Sequence, residues 1–376
     1  NSTLWITSTN VFSNTAERGG GLYNTSSSET AIDDTYITAN HAGTGGGIYN
    51  TSGGSVSLVW SDVFNNTSLG DGGGIFAEAS STTTMSNTGV SLNSAGGFGG
   101  GIMNTNGSTL VITSTWVLSN TAGSGGGLYV ASSGTALVRD TSIGANHAAG
   151  SGGGIYSSPS GDVSLISSSV FSNTTLGDGG GFYLAFGGTA TLSNTAVYSN
   201  SAGGLGGGFF SRNGGAATPA SSWVTGNRAQ AGGGFDVTNS RIDLTASEVR
   251  DNAAVENGGG LYGWGATVTL TNSVVAANQS AAYGGGFFLD TQSRARLTGS
   301  RVSENDAMLG GGVFNTNFAT TLITDSVISE NHAITGGGLY NNWFMTITAS
   351  SLLSNTVEEG GSALAQNFGA TRINQS

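Results

Sequence analysis

Residues 252–278 read NAAVENGGGLYGWGATVTLTNSVVAAN. Three apolar segments lie inside this stretch: Gly-Leu-Tyr at 260–262, Thr-Val-Thr-Leu-Thr at 267–271 and Ser-Val-Val-Ala-Ala-Asn at 273–278. Short runs with Thr/Val/Leu alternation, bounded by Gly, Ser and Asn, are strands. No window holds a 3.6-residue period over the roughly ten residues a helix needs. One such segment set cannot bury its own apolar positions, whereas stacked copies can.

The copies are present along the whole chain. Gly-Gly-Gly blocks begin at Gly19, Gly45, Gly72, Gly99, Gly125, Gly152, Gly179, Gly206, Gly232, Gly258, Gly284, Gly310 and Gly336, and a degenerate Gly-Gly-Ser begins at Gly360. The spacing is 26 or 27 residues until the last, which is 24. Five or six residues before each block stands an asparagine: Asn14, Asn40, Asn66, Asn93, Asn120, Asn146, Asn173, Asn200, Asn227, Asn252, Asn278, Asn305, Asn331 and Asn355. Three positions before each of these is Val, Ile or Leu, and five before is Ser or Thr. Eight positions before, the residue is aliphatic or Met in every turn but the one containing Pro219. A large apolar residue follows the glycines, and the next position is aromatic in eleven turns: Tyr23, Tyr49, Phe76, Tyr129, Tyr156, Tyr183, Phe210, Tyr262, Phe288, Phe314 and Tyr340. Met103, Asp236 and Leu364 are the exceptions.

This pattern predicts an all-β fold, a single-stranded right-handed parallel β-helix of about 14 turns of 26–27 residues with three short strands per turn. One domain spans 1–376, a rod of roughly 65–70 Å at parallel-strand spacing. Similar four-turn blocks cover 13–118 and 119–225, and the turns of 226–376 have diverged. Residues 13–23, for example, recur at 119–129 with two changes. Stacking brings like residues together. Aliphatic columns fill a dry core, while the Asn column is expected to hydrogen-bond amide to amide along the axis. The Ser/Thr column can be satisfied by the hydroxyl one turn away. The glycines mark a corner with positive φ or close backbone approach.

Composition removes several function classes. Gly supplies 66 of 376 residues, there are 2 Pro and no Cys, and all ten basic residues are Arg. A net charge of −12 disfavours a nucleic-acid or anionic-membrane partner. No apolar run approaches the ~18 residues of a membrane span. Without Cys there is neither a disulfide scaffold nor a thiolate metal site.

The paired landmarks, Gly-Gly-Gly-[Ile/Leu] with [Val/Ile]-x-x-Asn, resemble the Gly-Gly-Ala-Ile and Phe-x-x-Asn repeats of polymorphic outer-membrane proteins and of large autotransporter-type β-helix surface proteins. Val or Ile stands here where that family has Phe. The resemblance covers nearly the whole chain and implies an exported prokaryotic surface protein, extracellular or cell-surface, acting as an adhesin or structural rod.

Other β-helix proteins cleave polysaccharides, which makes acid pairs on adjacent turns worth locating. Glu304 and Glu330 each precede a column Asn in neighbouring turns, about 5 Å apart as in a retaining glycosidase; the favoured reading is two solvated turn carboxylates or a weak cation site. His41, His147 and His332 also flank column asparagines, yet the nearest two are four turns apart and cannot share a metal. No metal site and no cofactor is expected. Calcium alone stays open, through the acidic surface and the Leu-Gly-Asp-Gly-Gly-Gly segments at 69–74 and 176–181. Trp5, Trp60, Trp116, Trp223, Trp264 and Trp343 fall in different columns or distant turns and make no continuous platform. The aromatic column is continuous. Strand alternation turns it outward if the preceding Ile/Leu points inward, making an interaction stripe for a glycan or another rod; a corner that turns both inward hides it. Nine Asn-x-Ser/Thr sequons, at Asn1, Asn24, Asn50, Asn65, Asn66, Asn106, Asn173, Asn278 and Asn374, follow from the composition as readily as from glycosylation.

The sequence opens on Asn1 rather than Met, as a processed chain or an excerpt would. Asn1–Thr9 and Thr371–Ser376 both read as the second strand of a turn, Ser376 lying one repeat after Ser350, so both ends are expected to offer equivalent strand edges. The leading expectation is a non-catalytic extracellular rod that self-associates end to end into filaments. The alternatives are an adhesin for a glycan or cell-surface partner and, least favoured, a polysaccharide lyase or hydrolase.

Overall fold

A computed structural model describes residues 2–374; Asn1, with its sequon, and Gln375 and Ser376, with the repeat position of Ser376, lie outside the described residues. The chain forms two compact units, Asn1–Gly177 with Gly181–Thr191 and Asp178–Gly180 with Leu192–Ser376. Each is a parallel β-solenoid whose strands pair turn on turn, and together they hold about fourteen turns. The described residues contain no helix.

Each turn contributes to four parallel sheets, not the three expected. In the turn that begins at Asn252 the strands are Ala253–Ala254, Leu261–Trp264, Thr267–Thr271 and Val274–Ala276. The last three are the apolar segments read from the sequence. The unexpected one follows the column Asn and has two residues here and in most turns, four in the turns of Ala42 and Ala333. Its single inward residue is small and buried, as in Ala42, Ala148, Ala254 and Ala333. Two residues cannot display an alternation, so no periodicity marked this strand.

We name the sheets by their place after the first corner: Thr267–Thr271 lies in the first, Val274–Ala276 in the second, Ala253–Ala254 in the third and Leu261–Trp264 in the fourth. Register is in step throughout, with Val268 beside Ala295, Val275 beside Val302 and Leu261 beside Phe287. Stacked inward residues make the core. Ile37, Val63, Val90, Val117 and Ile143 form one fully buried file in the first unit. In the second unit Phe209, Phe235 and Phe287 are buried inside the fourth sheet, the first two stacked 4.8 Å apart.

The glycine block is required by geometry. Gly258 has φ +66°, in the left-handed region that L side chains rarely adopt. A Cβ on Gly259 would lie 2.4 Å from the Gln279 carbonyl oxygen and 2.6 Å from that of Gly285, and one on Gly260 would lie 2.6 Å from that of Gly286. Successive turns therefore pass too closely there for any side chain.

Candidate functional site

The polar columns come first, because they decide which groups remain for chemistry. The residue before each column Asn takes positive φ, as do Ala39, Asp251, Ala277, Glu304 and Glu330. That corner turns the next N–H out of the strand ladder. Asn278 shows how the loss is made good. Its Oδ1 accepts the Asn252 backbone N–H at 3.1 Å and the Asn252 Nδ2 at 2.9 Å. Its own Nδ2 donates to the Val249 carbonyl and to Asn305 Oδ1, both at 2.9 Å. Only a side chain with donor and acceptor on one planar group does both, which accounts for Asn at this position.

In the first unit the amide file runs from Asn14 through Asn40, Asn66, Asn93, Asn120 and Asn146 to Asn173 with Nδ2–Oδ1 distances of 2.9–3.1 Å. In the second it runs from Asn200 through Asn227, Asn252, Asn278, Asn305 and Asn331 to Asn355 at 2.9–3.0 Å. The Ser/Thr column works differently from the hydroxyl-to-hydroxyl expectation. Ser61 Oγ accepts the Thr35 backbone N–H at 3.1 Å and donates to the Val59 carbonyl at 2.8 Å. A second, interrupted Asn file in the fourth sheet was not read from the sequence. Asn24 donates to Asn50 at 2.9 Å and Asn315 to Asn341 at 2.8 Å. Ala77, Val130 and Val237 occupy the same register elsewhere and hide the period.

The aromatic column is stacked but mostly covered; of the exposed and hidden arrangements left open by the sequence, most of its rings take the hidden one. Tyr49, Phe76, Tyr129, Tyr183, Phe210, Phe288 and Phe314 are buried, and Tyr156, Tyr262 and Tyr340 are half-buried. Tyr23 alone among the eleven is exposed, at 46%. Two causes act together. Rings of adjacent turns stack face to face, 4.7 Å for Tyr129–Tyr156 and 4.5 Å for Tyr156–Tyr183, so each covers its neighbour. The ring root also lies against the glycine corner, where a Cβ on Gly72 would stand 2.6 Å from Phe76 Cβ. Loop aromatics add cover, with Phe98 stacking on Tyr129 at 4.8 Å and Tyr283 on Phe314 at 5.0 Å. Burial and the bond donated to Glu78 hold the Tyr49 hydroxyl above its ordinary range, and burial pushes Tyr262 up to about 12.

Asp236 replaces an aromatic in this column, between Phe210 and Tyr262. It is wholly buried; its Oδ1 accepts the Thr238 hydroxyl at 3.0 Å and its Oδ2 has no hydrogen-bond partner. Burial pushes its pKa up to about 8, the nearby Asp178 carboxylate adding to the rise and the Thr238 bond opposing it. Burial thus favours the protonated form of this carboxyl.

The remaining candidates stand apart or in pairs. Glu304 and Glu330 lie near each other, as the spacing predicted, but Arg301 sits 3.8 Å from one carboxylate and 3.6 Å from the other. His332 pairs with Asp306 at 2.6 Å, and His147 with Thr174 at 3.0 Å. No group of three His, Asp or Glu side chains is placed to hold a metal ion among the described residues. Of the sequons, Asn65 and Asn106 are exposed and Asn374 is half-buried; Asn24, Asn50, Asn66, Asn173 and Asn278 are buried. No helix among the described residues is long and apolar enough to cross a membrane. No family model matches the chain, and no curated protein matches it in sequence.

Proposed function

We propose that the chain is a non-catalytic structural rod, a right-handed solenoid displayed outside a prokaryotic cell, on its surface or in a fibre. One observation carries this reading: the repeated polar side chains spend their hydrogen-bonding capacity on the coil itself. Asn278 makes its bonds to adjacent turns while fully buried, leaving nothing for a substrate. The best-placed acid pair is bridged by an arginine, which favours the structural reading over glycoside chemistry. Right-handed winding is the hand that parallel crossovers take. The adhesin reading loses the support of the aromatic column, whose rings are mostly covered.

End-to-end association is part of the proposal. A parallel ladder presents at any terminal strand the N–H and C=O row that another turn in register satisfies, and a head-to-tail contact of this kind propagates. Electron microscopy across a concentration series tests it. Filaments that lengthen with concentration are expected; discrete particles at every concentration would contradict self-association. Cleavage of a uronic-acid polymer that disappears in Glu304→Gln would overturn the non-catalytic reading.

A further inference from the structure

The first three turns of the first unit carry exposed aromatic side chains on two neighbouring sheets. In the first sheet Trp5, Ala31, Asp33, Ser57 and Val59 line a hollow of about 480 Å³. In the second, Phe12, Tyr36 and Phe64 with Asn10, Thr38 and Ala39 line another of about 340 Å³. Trp60 stands at the corner joining the strands Ser55–Val59 and Asp62–Phe64, next in the chain to Val59 of the first hollow. It is 67% exposed, Phe12 60% and Tyr36 48%. Tyr36 and Phe64 meet edge to face at 6.1 Å.

These rings point outward by strand alternation, opposite the buried Ile37 and Val63. They contribute nothing to the core, and aromatic rings gathered on the outer face of three successive turns of an otherwise hydroxyl-rich coil are available to a partner. We propose that this surface binds a neutral, flat-faced polysaccharide of the β-1,4-linked type. The chemistry around the rings selects that occupant. Asp33, the hydroxyls of Thr38 and Ser57, and the second oxygens of Asp34 and Asp62, whose first oxygens accept the Ser8 hydroxyl and the Gly89 N–H, lie on the same outer strands and corners and can accept hydrogen bonds from sugar hydroxyls. The unit's two arginines lie elsewhere, Arg18 over the Tyr49 ring and Arg139 in a strand three turns beyond Ser55–Val59. A uronate or phosphate polymer would meet carboxylates with no cation to answer it. A second copy joined face to face would set the same carboxylates against one another. A pyranose ring offers an apolar C–H face to Trp or Tyr and hydroxyl donors to the acids at its edge. Phe12 and Phe64, two turns apart, are about 10 Å apart along the axis, room for roughly two sugar units.

This inference is independent of the structural reading, since a rod that self-assembles need not bind sugar and a sugar-binding chain need not self-assemble. The test is calorimetric titration of the whole chain with cellohexaose, xylohexaose and chitohexaose, with polygalacturonate as the anionic comparison. Binding of at least one neutral oligomer is expected. Trp60→Ala and Tyr36→Ala should each weaken it roughly tenfold, with unchanged circular dichroism and melting temperature. Trp264→Ala, in the second unit, should leave it unchanged. Absence of binding to all three neutral oligomers, equal binding of polygalacturonate, or full affinity in both variants would overturn the proposal. So would loss of self-association, rather than of sugar binding, in Trp60→Ala, which would assign the surface to a second copy.

Discussion

The two units share their interior and differ at the periphery. In each, an Asn file with near-identical bond lengths runs turn on turn beside stacked aliphatic residues. The first unit carries nine acids and two arginines, Arg18 and Arg139, whereas the second carries eight arginines and thirteen acids, of which Asp236 is buried. The second also pairs its charges, as in Arg241–Asp243, Arg250–Asp251 and the Arg301 bridge. Coil geometry constrains most inward positions, because a changed residue there meets its counterparts above and below. An outward position meets only water or a partner, so it is free to diverge.

Removing a column amide should have the largest effect, and it should be equal in the two units. Asn146→Ala would strand the Asn120 backbone N–H, and Asn278→Ala that of Asn252, together with the carbonyls the amides serve. Each buried group left unpaired costs about 1–3 kcal/mol, so a loss of roughly 3–5 kcal/mol is expected for either variant. Denaturant unfolding followed by hydrogen exchange would read it; a large loss in one unit alone would break the equivalence.

Overpacking the glycine corner comes next. Gly259→Ala places a methyl group against two carbonyl oxygens of the following turn and should cost about 2–3 kcal/mol. Retained stability would mean that adjacent turns separate there more easily than the packing implies.

Asp236 distinguishes the units through pH. Its folded pKa of about 8 lies above the roughly 3.9 of an unfolded Asp, so the folded state holds the extra proton between those values. Stability contributed by this group therefore falls as pH rises from about 4 to about 8 and is level above that. Asp236→Asn should remove the decline and raise the melting temperature more at pH 8.5 than at pH 5. An unchanged pH profile would show that the carboxyl is ionised and partnered. The smallest effect belongs to the surface: Glu304→Gln should change stability by no more than about 0.5 kcal/mol, since its Arg301 contact is exposed.

The parts legible in sequence were those repeated without exception. The Asn column recurs in every turn because its backbone service cannot be delegated to another side chain, and the glycine block recurs because the turns nearly touch. Four features escaped for physical reasons. The strand after each column Asn is too short to show a period. The fourth-sheet Asn file is broken by Ala77, Val130 and Val237, which need no amide. Whether the aromatic column is exposed does not follow from alternation, which ignores the cover that stacked rings give one another. Phe12, Tyr36 and Phe64 share no repeated aromatic position, and only stacking of the first three turns gathers them in one hollow.

Backbone hydrogen exchange at Asn252, measured in the natural chain and in Asn278→Ala, tests most directly whether each amide closes the corner of the preceding turn. Strong protection that collapses at Asn252 in the variant, while the strand Thr267–Thr271 stays protected, is the predicted result. Exchange at solvent rates in the natural chain, or protection that survives the substitution, would contradict it.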